Sequence, residues 1–231
     1  PEHVRRLAAE MGEAKPLLGY GLTETNAVGC GIINENYVAK PMSTGPASKP
    51  LVDMAILDDN GNALPQGSVG EVCIRSVANF SGYWNNEAAT RAAFFDNGYF
   101  RSGDLGYVDE DGYLFIVDRK KDIIIRGGEN ISCQEVEAAI YEHPDANECA
   151  VFGLPDERLG EVVGAVVWVK PGSTVDDGAM CSFLSQRLAP YKVPCKIWMS
   201  NQALPKLGSE KIDKVSLRNK YREEYAAEVV A

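Results

Sequence analysis

The pattern of apolar residues changes character twice along the chain, and those changes restrict the folds open to it. From about residue 40 to 117, runs such as "VDMAILDDNGNALP" and "GEVCIRS" set apolar residues between turn formers, among them Asp59-Asn60-Gly61-Asn62. "GYVDEDGYLFIVD" reads as a hairpin with Asp111-Gly112 at its turn, and "NNEAATRAAF" as a short helix inserted in this β-rich stretch. From about 122, strands and helices alternate. "DIIIR", "ECAVFGLP", "VVGAVVWVK" and "PCKIWMS" read as strands. "SCQEVEAAIYEHP" reads as a helix, with Ser132 and Glu135 spaced as a capping box and Pro144 beyond its end. "DDGAMCSFLSQRLAP" is a second helix, expected to stop at Pro190, and "KVSLRNKYREEYAAE" a terminal one. Ahead of all this, residues 1–12 have helical spacing and 15–18 read as a short strand. The expected fold class is α/β and α+β: a β-rich part, then a small α/β domain, with the boundary in the charged junction "VDRKKD".

Composition removes several function classes. A net charge of −10 with no long basic run argues against nucleic acid as a partner. Six cysteines without CxxC spacing, and only two histidines, His3 and His143, show no metal cluster and suit reduced thiols in a cytoplasmic protein. No apolar run reaches transmembrane length and no signal peptide is visible. The chain opens inside a helical pattern without an initiator Met, which suggests a piece of a longer protein.

Four stretches have the composition of a binding site. "GYGLTETNAVGC", Gly19 to Cys30, holds three glycines and no Lys or Arg. Its backbone N–H groups could cradle phosphate, with Thr23 adding a hydroxyl and Glu24 holding a divalent ion; a strand-to-helix turn capped by Thr23 fits equally well. In "YFRSGDLG", Ser102-Gly103 reads as a turn presenting Asp104 to vicinal hydroxyls, and Arg119 sits at a strand end within reach of a ribose or phosphate. A surface salt-bridge cluster is the plain alternative. "RGGENISCQEVE" places Gly127-Gly128 before a capped helix, either as an ordinary link or as a bare backbone edge along which a ligand passes. "LPKLGSEKIDK" carries Lys206, Lys211 and Lys214 on a loop, solvated or catalytic.

In this order and spacing, the motifs resemble the C-terminal part of AMP-forming acyl-CoA synthetases, the adenylate-forming superfamily. "YGLTE", "GEVCIRS", "YFRSGDLG", "DRKKDIIIRGGENISCQEVE" and "LPKLGSEKIDK" carry the resemblance over nearly the whole chain. It implies that residues 1–118 are the end of a large N-terminal adenylating domain and 119–231 a small C-terminal α/β lid domain. It implies a ligase that uses ATP, Mg²⁺ and coenzyme A on a small carboxylic acid, a fatty acid or a relative of one. By this resemblance Gly19, Tyr20 and Gly21 form the adenine side of the site, Tyr20 stacking on the base. Thr23 touches phosphate, Glu24 binds Mg²⁺, Asp104 accepts from both ribose hydroxyls and Arg119 supports the ribose. Lys211 bridges the acid and the α-phosphate. Lys121 is the hinge about which the lid turns between half-reactions, presenting the Gly128 loop to pantetheine.

Two departures stand out. Glu210 occupies the usual glycine position before the catalytic lysine, where its charge would favour the charged form of Lys211. The family's Ser/Thr/Gly-rich phosphate loop has no counterpart in these 231 residues, so the chain alone is expected to be inactive. A carrier-protein or oxygen acceptor, or a non-catalytic nucleotide-binding module, are the competing readings. Oligomeric state stays open, a homodimer included.

Overall fold

The computed structural model describes residues 16–230; the helix expected over residues 1–12 and the first residue of the strand expected over 15–18 lie outside them. The chain forms two compact units, residues 1–120 and 121–231. Among the described residues no helix is long and apolar enough to cross a membrane.

In the first unit, β1 (Leu17–Tyr20) pairs antiparallel with β2 (Cys30–Ile33), and α1 (Asn34–Ala39) follows. The β2–α1 segment carries no clear period and was not expected from sequence. Then come β3 (Gly45–Pro46), β4 (Val52–Leu57), β5 (Gly70–Ser76), α2 (Glu87–Ala92), β6 (Phe100–Val108) and β7 (Tyr113–Arg119). They build an antiparallel five-stranded sheet in the order β3-β7-β6-β5-β4. Cys30, Ile56, Val72 and Leu114 form its core. The β6–β7 turn is as expected: Asp109 and Tyr113 pair, the Gly112 N–H donates to the Asp109 carbonyl, and Gly112 has a φ of +83°. This is a type I turn closed by a left-handed residue, the position that favours glycine.

In the second unit, β8 (Ile124–Arg126) and β9 (Glu129–Ile131) are a hairpin turned by Gly127 and Gly128, with φ of +60° and +93°. Two left-handed residues in a two-residue loop suit the twist of paired strands, so the glycines serve a hairpin and not a direct link into the next helix. Then follow α3 (Cys133–Tyr141), β10 (Ala146–Asp156), β11 (Gly160–Val169), α4 (Asp177–Ser185), β12 (Lys196–Ser200) and α5 (Lys214–Val230). The Ser132 hydroxyl accepts from the Glu135 N–H at the start of α3, as its capping spacing predicts. Helix α4 ends at Ser185, ahead of Pro190; a separate 3-10 turn spans Pro190–Lys192. β11 pairs antiparallel with β10 and parallel with β12, and reaches β8 through Gly160 opposite Arg126.

The continuous apolar runs of β10 and β11 have a direct cause. Cys149, Val151, Val163, Ala165 and Val167 pack with α3 and α4, whereas Ala150, Phe152, Leu154, Val162 and Val166 pack with Leu217 and Tyr221 of α5. A sheet covered on both faces needs apolar residues at successive positions, not alternate ones. Replacing the fully buried Ile140 by Ala should destabilise this unit by about 2–5 kcal/mol, whereas Ile125→Ala, at an exposed position, should cost under about 0.5 kcal/mol. Chemical denaturation followed by Trp168 and Trp198 fluorescence checks both.

Candidate functional site

Asp104 is the centre of the first unit's candidate site. Its side chain is buried, and both oxygens are engaged: Oδ2 accepts from the Tyr20 hydroxyl at 2.7 Å and Oδ1 from Arg119 Nε at 2.7 Å. Arg119 lies directly opposite Asp104 in the β6–β7 register, so the ion pair follows from strand pairing. Tyr20 comes from β1, 84 positions away. Burial, and then the charge of Asp104, push the Tyr20 phenol far above its ordinary range, which keeps it a neutral donor. Each carboxylate oxygen accepts more than one hydrogen bond, so the Asp104 carboxylate keeps capacity for two further hydroxyl donors.

The backbone here differs from the sequence expectation. Ser102-Gly103 is not a turn but a bulge inside β6: Cys73 opposes Arg101 and Glu71 opposes Leu105, so Val72 alone faces three residues. Gly103 has a φ of +71°, which only glycine adopts at little cost. The N–H groups released from the ladder are taken up by side chains. Glu71 Oε1 accepts from the Gly103 N–H at 3.2 Å, and Ser102 Oγ from the Asp104 N–H at 3.0 Å.

Glu71 also receives Arg101 Nη2 at 3.1 Å and Lys120 Nζ at 3.0 Å, although only 4 % of it is exposed. Burial opposes the charge, but the hydrogen bonds from Arg101 and Lys120 outweigh it and hold this carboxyl below the usual range. Its role was not legible beyond its place in "GEVCIRS", because Arg101 and Lys120 lie far off in sequence.

The Gly19–Cys30 loop is explained in part by its own closure. A Cβ on Gly21 would sit 2.4 Å from the Ala27 carbonyl, and one on Gly29 2.4 Å from the Tyr20 oxygen, whereas Gly19 meets nothing nearer than 3.9 Å. A 3-10 turn spans Thr23–Thr25. The cap expected of Thr23 is made by Thr25, which is fully buried and whose Oγ1 bonds both the Leu22 N–H and its carbonyl at 3.1 Å. Thr23 is left exposed, its hydroxyl without a hydrogen bond among the described residues. Glu24 Oε1 accepts from the Tyr83 hydroxyl at 2.9 Å, and Asn26 Nδ2 donates to the Ala78 carbonyl at 2.7 Å, a support that sequence did not reveal. No group of three or more metal-ligating side chains occurs among the described residues. One carboxylate with a vacant oxygen suits Mg²⁺ if substrate phosphates and water supply the other ligands.

The second unit carries Lys211 and Gly128, both exposed. Lys211 closes a tight turn: the Leu207 N–H donates to the Lys211 carbonyl and the Glu210 N–H to the Leu207 carbonyl. This is the hydrogen-bond pattern of the Asp109–Tyr113 turn, with Glu210, at a φ of +63°, where the other has Gly112. The turn leaves the Lys211 ammonium without an ion-pair partner among the described residues. Lys121, exposed, is the first residue of this unit, after a Lys120 tied to Glu71 and Asp59.

Residues 1–84 match the model of the AMP-binding enzyme family, and residues 135–211 that of the AMP-binding enzyme C-terminal domain. The chain belongs to the AMP-binding enzymes. It is 42% identical over 216 residues to a probable CoA ligase, CCL9, of Humulus lupulus, which covers 93% of this chain and 40% of that protein. Over 203 residues it is 42% identical to the long-chain-fatty-acid–CoA ligase FadD13 of Mycobacterium tuberculosis, covering 88% of this chain and 39% of that one. The crystal structure of ATP-bound MatB from Rhodopseudomonas palustris matches with a TM-score of 0.86 at 35% identity, over 97% of this chain and 44% of that chain. This AMP-binding enzyme chain thus spans about 40% of the length of the curated relatives it matches.

Two outcomes follow from the geometry of this AMP-binding enzyme. Glu71→Gln should cost about 1–3 kcal/mol at pH 7 by leaving Arg101 and Lys120 without their carboxylate. Because the folded carboxyl sits below its unfolded value, that stability is present above the unfolded pKa and is lost as pH falls through the folded one. The gap between wild type and variant should therefore close below about pH 4, read from urea midpoints across pH. Glu210→Gly should stabilise by about 1 kcal/mol, since a left-handed non-glycine residue carries a cost of about that size; a thermal melt reads it.

Proposed function

We propose that the chain is the C-terminal part of an AMP-forming acid–thiol ligase. The carboxylate substrate attacks the α-phosphorus of ATP and pyrophosphate leaves. The thiol sulfur of coenzyme A then attacks the acyl carbon and AMP leaves. The observation that carries this reading is Asp104, gripped by Tyr20 and Arg119, in a family whose members bind AMP. In it Asp104 receives the ribose hydroxyls, with Arg119 supporting the ribose. Tyr20 and the backbone at Gly19 and Gly21 flank the base.

Thr23 offers its exposed hydroxyl to phosphate, and Glu24 holds Mg²⁺ against it. Lys211, on a strained turn and without an ion-pair partner, brings positive charge to the attacked phosphate. Lys121 is the hinge, and the Gly127–Gly128 turn, with no side chain to obstruct it, borders the pantetheine path. Relatives named for fatty acid, ferulate and oxalate support a carboxylic acid as the substrate. Their common thiol, CoA, favours that acceptor over a carrier protein or oxygen. Without the upstream Ser/Thr/Gly-rich phosphate loop, the 231 residues alone do not turn over.

In the longer protein, Lys211→Ala should lower the adenylation half-reaction by about 10²–10³-fold while thioester formation from supplied acyl-adenylate is retained. Equal loss in both half-reactions would remove Lys211 from this role, and absence of AMP binding would favour a non-catalytic module. Pyrophosphate release by the 231-residue chain at the rate of intact ligases would overturn the assignment of inactivity.

A further inference from the structure

A second, separate cationic feature lies wholly within the second unit. Lys214, Arg218 and Arg222 recur every four residues along α5, forming one stripe. The adjacent stripe, Leu217 and Tyr221, is buried against β10 and β11. The basic stripe lines a small, partly open cleft whose other side includes Lys121, Asp122 and Gly153.

The cations of this cleft are unequally committed. Lys214 pairs with Glu137 at 2.6 Å, and Arg222 with Glu161 at 2.5 Å and with the Gly153 carbonyl at 2.7 Å. Arg218 is different. Among the described residues its Nε is buried with no hydrogen-bond partner, and the Asp122 carboxylate lies 4.0 Å from Nη1. Lys121 has no ion-pair partner among the described residues. A buried guanidinium N–H left unpaired costs free energy, in a chain whose net charge of −10 offers many acids that could have met it. The carboxylates facing the cleft are Asp122 and Glu161, with Glu137 behind Lys214. Glu161 and Glu137 are already neutralised by Arg222 and Lys214, and only Asp122 competes for Arg218.

We propose that this cleft binds a phosphate-class dianion, free or as a phosphomonoester, with Arg218 as the principal ligand and Lys121 as the second cation. Arg218 supplies the donor fork that tetrahedral oxyanions match, and Lys121 a mobile point charge at the rim. The site uses neither Asp104 nor Lys211, so it stands whether or not the nucleotide reading does. Lys121 opens the second unit, so an anion held between Lys121 and α5 would tether the inter-unit connection to this helix.

The test is calorimetric titration of the 231-residue chain at low ionic strength with inorganic phosphate and, in a parallel arm, with glycerol 3-phosphate. Saturable uptake of phosphate is expected, with a shift of the Arg218 Nε–H resonance in ¹H–¹⁵N spectra. Arg218→Gln should weaken it at least about tenfold, and Lys121→Gln by a smaller factor of about three. Arg218→Lys should recover only part of the loss. Equal affinity in the two arms identifies a site for any phosphomonoester, and preference for phosphate a site for the free ion; either supports the proposal. Lack of saturable uptake in both arms, or affinity unchanged in Arg218→Gln, overturns it. If Arg218→Gln fails to fold, Lys121→Gln decides: it is exposed and should melt like wild type, and unchanged affinity there overturns the proposal.

Discussion

The buried carboxylate of Glu71 is the contact on which the first unit's site depends. It receives Arg101 and Lys120, and it accepts the Gly103 N–H that the β6 bulge withdraws from the ladder. Without an acceptor at that point the bulge would leave a backbone donor orphaned. Without the bulge, Asp104 would face a different neighbour, since its two extra residues shift the register of β6 against β5. The backbone that carries Asp104 is therefore held by Glu71 on the neighbouring strand, whose buried charge is offset by Arg101 and Lys120.

Sequence revealed those parts of this protein whose cause is local. Ser132 and Glu135 marked the start of α3, Asp111-Gly112 marked the β6–β7 turn, and the apolar runs of β10 and β11 announced strands, which the structure buries on both faces. The parts missed depend on a distant partner. Gly103 reads as turn punctuation until Glu71 is placed beneath it. Thr23 is the expected cap, but burial sends Thr25 inward to make it and leaves Thr23 outside. Gly127-Gly128 read as a link into the next helix or a bare backbone edge, and the pairing of Arg126 with Glu129 makes them a hairpin turn. Pro190 sets a limit on α4, yet the helix ends earlier, at Ser185. Among the site residues, Tyr20, Asp104 and Arg119 were found as separate motifs; their meeting at 2.7 Å is tertiary information.

The same turn occurs in both units with different chemistry. Asp109–Tyr113 and Leu207–Lys211 share one hydrogen-bond pattern, and both place a left-handed residue fourth. In the first, Gly112 meets the requirement and the turn is simply a hairpin end. In the second, Glu210 occupies it at a conformational cost that no contact among the described residues visibly offsets. Such strain is tolerated where the position of the next residue matters more than local stability, and the next residue is Lys211.

The distribution of charge differs between the two units. In the first unit the cations around Asp104 are already committed: Arg119 to Asp104 itself, Arg101 and Lys120 to Glu71. Glu24, four residues after Tyr20, adds a further negative charge. A polyphosphate brought to this surface meets carboxylates whose partners are spent, and a divalent ion alone would offset only part of that repulsion. Lys211, without an ion-pair partner among the described residues, is on the second unit, on an exposed turn.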